Sequence, residues 1–162
     1  MISLIIPCFN EEKNLEKLLN KLDYLLNENS NDNIEIVIVN NGSTDNSGSI
    51  IKKHSLYLQK KINLLTIEKN IGYGDGINQG INHSNGEILC WFHADLQFDP
   101  FDAIKIYKNY KSELYNQQIM IKGKRINRSL FDAFFTFGMS LFTLLLFRKK
   151  INDINAQPKM FN

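Results

Sequence analysis

The chain has 162 residues, 43% hydrophobic and 22% charged, the proportions of a folded domain with a real core and not of a disordered or fibrous chain. Its net charge of +2 is too small to point to nucleic acid as a partner. The two cysteines, Cys8 and Cys90, fall in or at the end of apolar runs without metal-ligand spacing, so they read as buried thiols of a reducing compartment.

Met1-Ile2-Ser3 enters the first apolar run without a basic leader region, and a cytoplasmic location is expected. Ile2–Pro7 reads as a buried strand. Glu11 and Glu12 suit the first turn of a helix, and Leu15, Leu18, Leu19, Leu22, Leu25 and Leu26 recur at helical spacing, so one face packs on a sheet. Asn27–Asn33 is a polar loop, and Ile34–Val39 is a second strand rich in β-branched residues. Asn40–Asp45 is a turn and helix cap, and Ile50, Ile51, His54 and Leu58 mark a second helix. Ile62–Ile67 is a third strand. Glycine-rich Asn70–Gly76 then leads into a short helix ending near His83. His54 and His83 read as structural or solvated.

Asn85-Gly86 is a turn, and Ile88–Phe92 is a nearly continuous apolar strand that breaks into polar His93-Ala94-Asp95-Leu96-Gln97. Asp99-Pro100 has the form of a helix N-cap and first turn. Phe101, Ile104, Tyr107, Tyr110 and Leu114 form the next helical face, and Ile119–Ile121 is a fifth strand. This alternation predicts a single α/β domain, a largely parallel sheet with helices on both faces.

In such a sheet, ligands bind beyond the carboxyl ends of the strands. Three ends then share one edge, those at Pro7–Glu11, Asn40–Asp45 and His93–Gln97. Helices begin after each, so free N–H groups face a common crevice that suits a nucleotide diphosphate. Asn40, Asn41, Ser43 and Asp45 offer partners for a base or ribose. Asp95, with the amide oxygen of Gln97, offers hard oxygen ligands to Mg²⁺ or Mn²⁺. His93 either joins a Mn²⁺ site or bonds a phosphate. Gly72 and Gly74 fit neither a GxGxxG fingerprint nor a P-loop, so they serve close backbone approach, to a ligand or to a neighbouring strand.

The last third is different. Lys122, Lys124, Arg125 and Arg128 precede Leu130–Phe147, which is apolar almost all round. An interfacial helix anchored by flanking cations, a buried core or dimer helix, and a true membrane span all accommodate it, the interfacial reading best. A phosphate-binding basic patch beside a lipid-facing surface suggests a lipid phosphate. The dimer reading keeps a homo-oligomer among the expected assemblies.

Taken in order, IIPCFNEEKNL, VIVNNGSTDNS, NIGYGDGINQGI, HADLQFDP and KGKR resemble family 2 glycosyltransferases with the GT-A fold, and within them the dolichyl-phosphate mannose synthase-like branch. The resemblance covers nearly the whole chain. It implies a nucleotide-sugar-binding core over 1–125, and an acceptor- and membrane-proximal apolar helix and tail over 126–162 of the same domain. It also implies inverting transfer from a UDP- or GDP-linked sugar to a polyprenyl phosphate or a glycan acceptor, at the inner face of the cell membrane. Pro7, Asn10 and Glu11 match the first nucleotide-contacting loop, and HADLQ, with Ala94 in its middle, matches the metal motif. His93 there replaces the usual first acid. Asn40 and Asn41 stand where two Asp residues are common. Lys124, Arg125 and Arg128 fall where acceptor phosphate is held. DINAQP, from Asp153, resembles the motif that follows interfacial helices. The family domain usually continues past it, so a C-terminally short chain is expected, with an inactive truncated nucleotide-binding domain as the alternative to an enzyme. A lipid phosphate needs no strong general base, whereas a sugar hydroxyl does, and Asp153 is the available carboxylate.

Overall fold

The computed structural model describes residues 1–124, 138–140, 143–146, 148, 153 and 155–162. The expected interfacial helix therefore lies largely outside the described residues, as do Arg125 and Arg128. No helix among the described residues is long and apolar enough to cross a membrane.

The centre of the fold is β1 (Ile2–Cys8), buried at every position. It pairs in parallel with β2 (Ile34–Asn41) on one side and with β4 (Ile88–Trp91) on the other. Outside β2 lies β3 (Asn63–Ile67), also parallel. The expected alternation holds through these four strands. Beyond them the sheet becomes mixed. The fifth strand, β5 (Met120–Lys122), does not pair with β4; the last strand, β6 (Lys159–Phe161), runs antiparallel between the two. The order is β3-β2-β1-β4-β6-β5. Three residues with only Met160 fully buried carry too little periodicity to announce β6 in the sequence.

Side-chain alternation along the strands makes two cores. Ile2, Leu4 and Ile6 join Ile36, Ile38, Ile88, Cys90 and Phe92 on one face. Against it pack α1 (Glu12–Glu28) and α5 (Pro100–Asn109), the former through Leu15, Leu18, Leu19, Leu22 and Leu25, all fully buried. Each such leucine contributes roughly 1.5–3 kcal/mol, several times what helix propensity supplies. The opposite face carries the smaller set Ile5, Val37 and Val39. It is covered by α4 (Tyr73–His83), where Gly80 lets helix and sheet touch: a Cβ there would sit 2.5 Å from Ile5 Cγ2 and 2.8 Å from Val39 Cγ2.

Three helices differ from expectation. The second breaks at His54, whose extended backbone separates α2 (Ser47–Lys53) from α3 (Ser55–Leu58) and whose Nδ1 accepts the Leu56 N–H at 3.3 Å. The helical face from Phe101 to Leu114 is split at Tyr110 into α5 and α6 (Lys111–Asn116). Helix α4 begins at Tyr73, so Gly74 and Gly76 are helical and not part of a loop. Asp99 caps α5 as expected, accepting the Phe101 N–H at 3.1 Å and an ion pair from Lys21 at 2.6 Å.

Candidate functional site

Because β1, β2 and β4 are parallel, their polar exits gather at one edge. The first two exits are laced together. Asn10, at φ 56°, donates its N–H to Ser43 Oγ (3.1 Å) and accepts the Thr44 N–H at Oδ1 (2.9 Å). Asp45 accepts from the Glu12 N–H (3.1 Å) and the Ser47 N–H (2.9 Å), while the Glu11 N–H donates to Ser47 Oγ (2.9 Å). Burial nudges the Asp45 carboxyl up, but these donors outweigh it and hold it below the usual carboxylate range. Asn40 turns to the α2 side, lying against Gly48 and accepting the Ser43 N–H at 3.3 Å. In this arrangement Asn10, Asn40, Ser43 and Asp45 hold the edge in shape.

Beside this lattice opens a cavity of about 190 Å³ lined by Pro7, Cys8, Phe9, Glu11, Asn41, Asn70, Tyr73, His93 and Ala94. Asn41, 2% exposed, donates through Nδ2 to the Gly72 carbonyl (3.1 Å) and Asn70 Oδ1 (3.5 Å). Those two acceptors fix which end of its amide is which, and Oδ1 is buried without a hydrogen-bond partner. Gly76 is small for the same side chain: a Cβ there would lie 2.8 Å from Asn41 Nδ2. Gly72 supplies the φ of 138° from which α4 starts, and Gly74 has nothing within 4 Å of its would-be Cβ. Burial pushes the Cys8 thiol up to about 12, so this wall of the cavity is an unionised thiol.

The fourth strand's exit forms the opposite wall. The His93 N–H donates to Gln157 Oε1 at 2.6 Å, and the His93 ring stacks on Tyr73 at 4.4 Å between centroids and 18° between planes. Burial pulls the imidazole down, and despite the opposing Asp95 and Glu11 charges the ring is neutral at pH 7. Burial, aided by the Asp95 charge, pushes the Tyr73 phenol up. Asp95 Oδ1 accepts the Gln97 N–H at 3.0 Å, closing a turn in which Leu96 takes φ 62°. Asp95 is half-buried and the Gln97 amide exposed. Among the described residues no three His, Cys, Asp or Glu side chains gather as a metal cage. The donors present fit a hard cation that takes Asp95 from the protein and completes its shell with phosphate and water.

The tail closes this wall from behind. Gly123 donates to the Pro158 carbonyl at 2.9 Å and packs so tightly that a Cβ would fall 1.8 Å from Gln157 O. Asp153 is 6% exposed, at φ 48°, its carbonyl accepting from Lys122 Nζ at 3.2 Å and from the Ala156 N–H at 2.9 Å. Lys124 is exposed. Phe9, Asn70, Tyr73 and Gln157 were not read as site residues from the sequence. Phe9, Asn70 and Tyr73 could have been, since they follow β1 and β3 at the same edge. Gln157 lies in the DINAQP motif, but nothing local there announces its bond to the His93 backbone 64 residues away.

The family model for glycosyl transferase family 2 matches residues 3–157. Dolichyl-phosphate beta-glucosyltransferase ALG5A of Trichomonas vaginalis is 31% identical over 172 aligned positions, covering 99% of this chain and 52% of that protein. The chain spans about half the length of the curated relatives named for that activity. Among solved structures, the mannosyltransferase PcManGT from Pyrobaculum calidifontis, in complex with GDP-Man and Mn2+, superposes with a TM-score of 0.59 at 20% identity, over 81% of this chain and 37% of that one. Staphylococcus aureus TarS 1-349 in complex with UDP-GlcNAc gives 0.56 at 23%, over 80% and 38%. These likenesses show a shared GT-A fold. With the family match running almost from end to end, the chain belongs to glycosyl transferase family 2.

Proposed function

We propose that this chain transfers a sugar, with inversion at the anomeric carbon, from a UDP- or GDP-linked donor to a polyprenyl phosphate at the cytoplasmic face of a membrane. The observation that carries this reading is the cavity at the carboxyl ends of β1, β2 and β4, with Asn41 in its wall and Asp95 beside it. Such a crevice is where open parallel sheets bind ligands. The donor class is supported by neighbours solved with UDP-GlcNAc and GDP-Man, and the acceptor class by relatives named for dolichyl phosphate. Contact with an apolar surface is supported by Leu144, Leu145 and Leu146, exposed at 40%, 73% and 59%.

The chain's own groups divide the work. The cavity holds the nucleoside, with Pro7, Phe9, Glu11, Asn41, Tyr73 and Ala94 as its walls. Asp95, with Gln97 within the same turn, would hold Mg²⁺ or Mn²⁺. Bound there, a divalent cation would supply charge stabilisation for the departing nucleoside diphosphate. His93, neutral and free at both ring nitrogens among the described residues, hydrogen-bonds a phosphate oxygen. Lys124, with Arg125 and Arg128, attracts the acceptor phosphate, whose oxygen is already ionised and needs no base.

A saccharide hydroxyl as acceptor would instead need a carboxylate base, and in this second reading Asp153 is the residue proposed for it. Labelled UDP-glucose and GDP-mannose, offered with dolichyl phosphate in detergent or with an oligosaccharide, separate the two. Label moving to the lipid phase is expected. Label moving only to the saccharide, and lost in Asp153→Asn, establishes the second. Label that stays on nucleotide with both acceptors overturns transfer.

A further inference from the structure

The sheet ends on β5 at one edge and on β3 at the other. One bond shows how β3 is turned. The Ile2 N–H meets the Asn33 carbonyl, so the even-numbered residues of β1 aim their backbone groups at β2. Carried through the registers, Ile38 and Asn40 aim theirs at β3, and Asn63, Leu65 and Ile67 answer them. Leu64 and Thr66 therefore point N–H and C=O out of the sheet, and among the described residues no backbone group beyond β2 meets them.

A bare edge recruits other strands unless a charge, a proline or a bulge within it prevents that. The run Asn63–Ile67, NLLTI, has none of these, and its register on β2 is unbroken. The charges stand at its two ends instead, all exposed: Lys60 and Lys61 before it, Glu68 and Lys69 after it. Lys61 pairs with Asp23 at 3.5 Å, whereas Lys60 and Glu68 have no ion pair among the described residues. Two apolar side chains flank the strand in the same way, Leu58 at 67% exposure and Ile71 at 68%.

Such a segment complements itself. Two copies related by a two-fold axis at Leu64, perpendicular to the sheet, run antiparallel, and each Leu64 exchanges both backbone bonds with the other. Glu68 of one copy then lies across from Lys60 of the other, Lys69 across from the uncharged Gln59, and Ile71 is carried towards Leu58. Side chains keep their faces only if the register shifts by two residues at a time. One such shift sets Lys69 against Lys61, and the opposite one sets Glu68 against Leu58. Charge thus selects the register centred on Leu64.

We propose that β3 is a dimerisation edge: two copies of this chain join antiparallel at Leu64 and share one continuous sheet. The contact is short, so the dimer is a weak one. It uses none of the apolar residues between 130 and 147, and it stands whether or not the chain transfers sugar.

Sedimentation equilibrium of the full chain tests it, in a mild non-ionic detergent that covers Leu145 and its neighbours. Half-association is expected at about 10–100 µM, weakening about threefold between about 50 and 500 mM NaCl. Thr66→Pro removes an N–H that the monomer does not use, so it should weaken association at least about tenfold and leave Tm within about 2 °C. Glu68→Lys should weaken it about fivefold, and adding Lys60→Glu should restore it to within about twofold of wild type. If Thr66→Pro folds poorly, the charge pair alone decides. A chain still monomeric at about 500 µM overturns the proposal. So does a dimer that folded Thr66→Pro leaves intact, and so does a Glu68→Lys defect that Lys60→Glu fails to rescue.

Discussion

The two ends of the parallel sheet are built from similar residues and put to opposite use. At the amino end, Ser3 Oγ donates to the Glu35 carboxylate and accepts the Gly86 N–H at 2.8 Å. Glu35 also accepts the Asn85 N–H and Nδ2, each at 2.8 Å, and Asn63 Nδ2 at 3.2 Å. Burial raises the Glu35 carboxyl, but these donors win and hold it below the usual range. At the carboxyl end, Asn41 Oδ1 and Trp91 Nε1 are buried without partners among the described residues. Since native interiors satisfy nearly all their polar groups, the end with vacancies is the end that expects something to arrive.

The largest expected effect is at the satisfied end. Gly86→Ala would place a Cβ 2.4 Å from Ser3 Oγ and 2.7 Å from the Ser3 backbone nitrogen. A loss of about 2–3 kcal/mol, or roughly 5–10 °C in Tm, should appear in thermal melts. A smaller drop would mean the turn yields more easily than its contacts suggest. Next comes Glu35→Ala, which strands the Ser3 hydroxyl and the Asn85 N–H. We expect a loss of about 1–2 kcal/mol in urea at pH 7. Because the native carboxyl is depressed, its contribution is present above the unfolded pKa and fades as pH falls through the native one. The stability gap between wild type and variant should therefore close in acid.

At the open end the signs reverse. Tyr73→Ala removes the plate over His93 and should leave Tm within about 2 °C while weakening donor binding about tenfold. A large fall in Tm with unchanged binding would move Tyr73 to the structural side of the comparison. The smallest effect concerns Cys8. An unfolded thiol ionises above about pH 8.5. Native Cys8 stays protonated to about 12. Its contribution to stability is whole below the unfolded value and is lost as pH rises towards the native one. At pH 8 a disulfide reagent should find neither Cys8 nor Cys90 until the protein unfolds; prompt native labelling would show the cavity wall to be open at Cys8.

The leucines of α1, the β-branched run of β2 and the apolar run of β4 declare themselves in the sequence because period and burial coincide locally. So do the exits of β1, β2 and β4, because a parallel sheet sends every exit to one edge. What the tertiary structure alone decided is how those exits are shared out. Asn40 and Asn41 are neighbours of one chemistry, yet strand alternation sends one towards α2 and the other into the cavity wall. It also decided that β6 comes back between β4 and β5, and that Gln157 then reaches the His93 backbone. A pairing across 64 residues leaves no trace in local pattern, since it is selected by the packing of the finished sheet and not by any preference of the segments that make it.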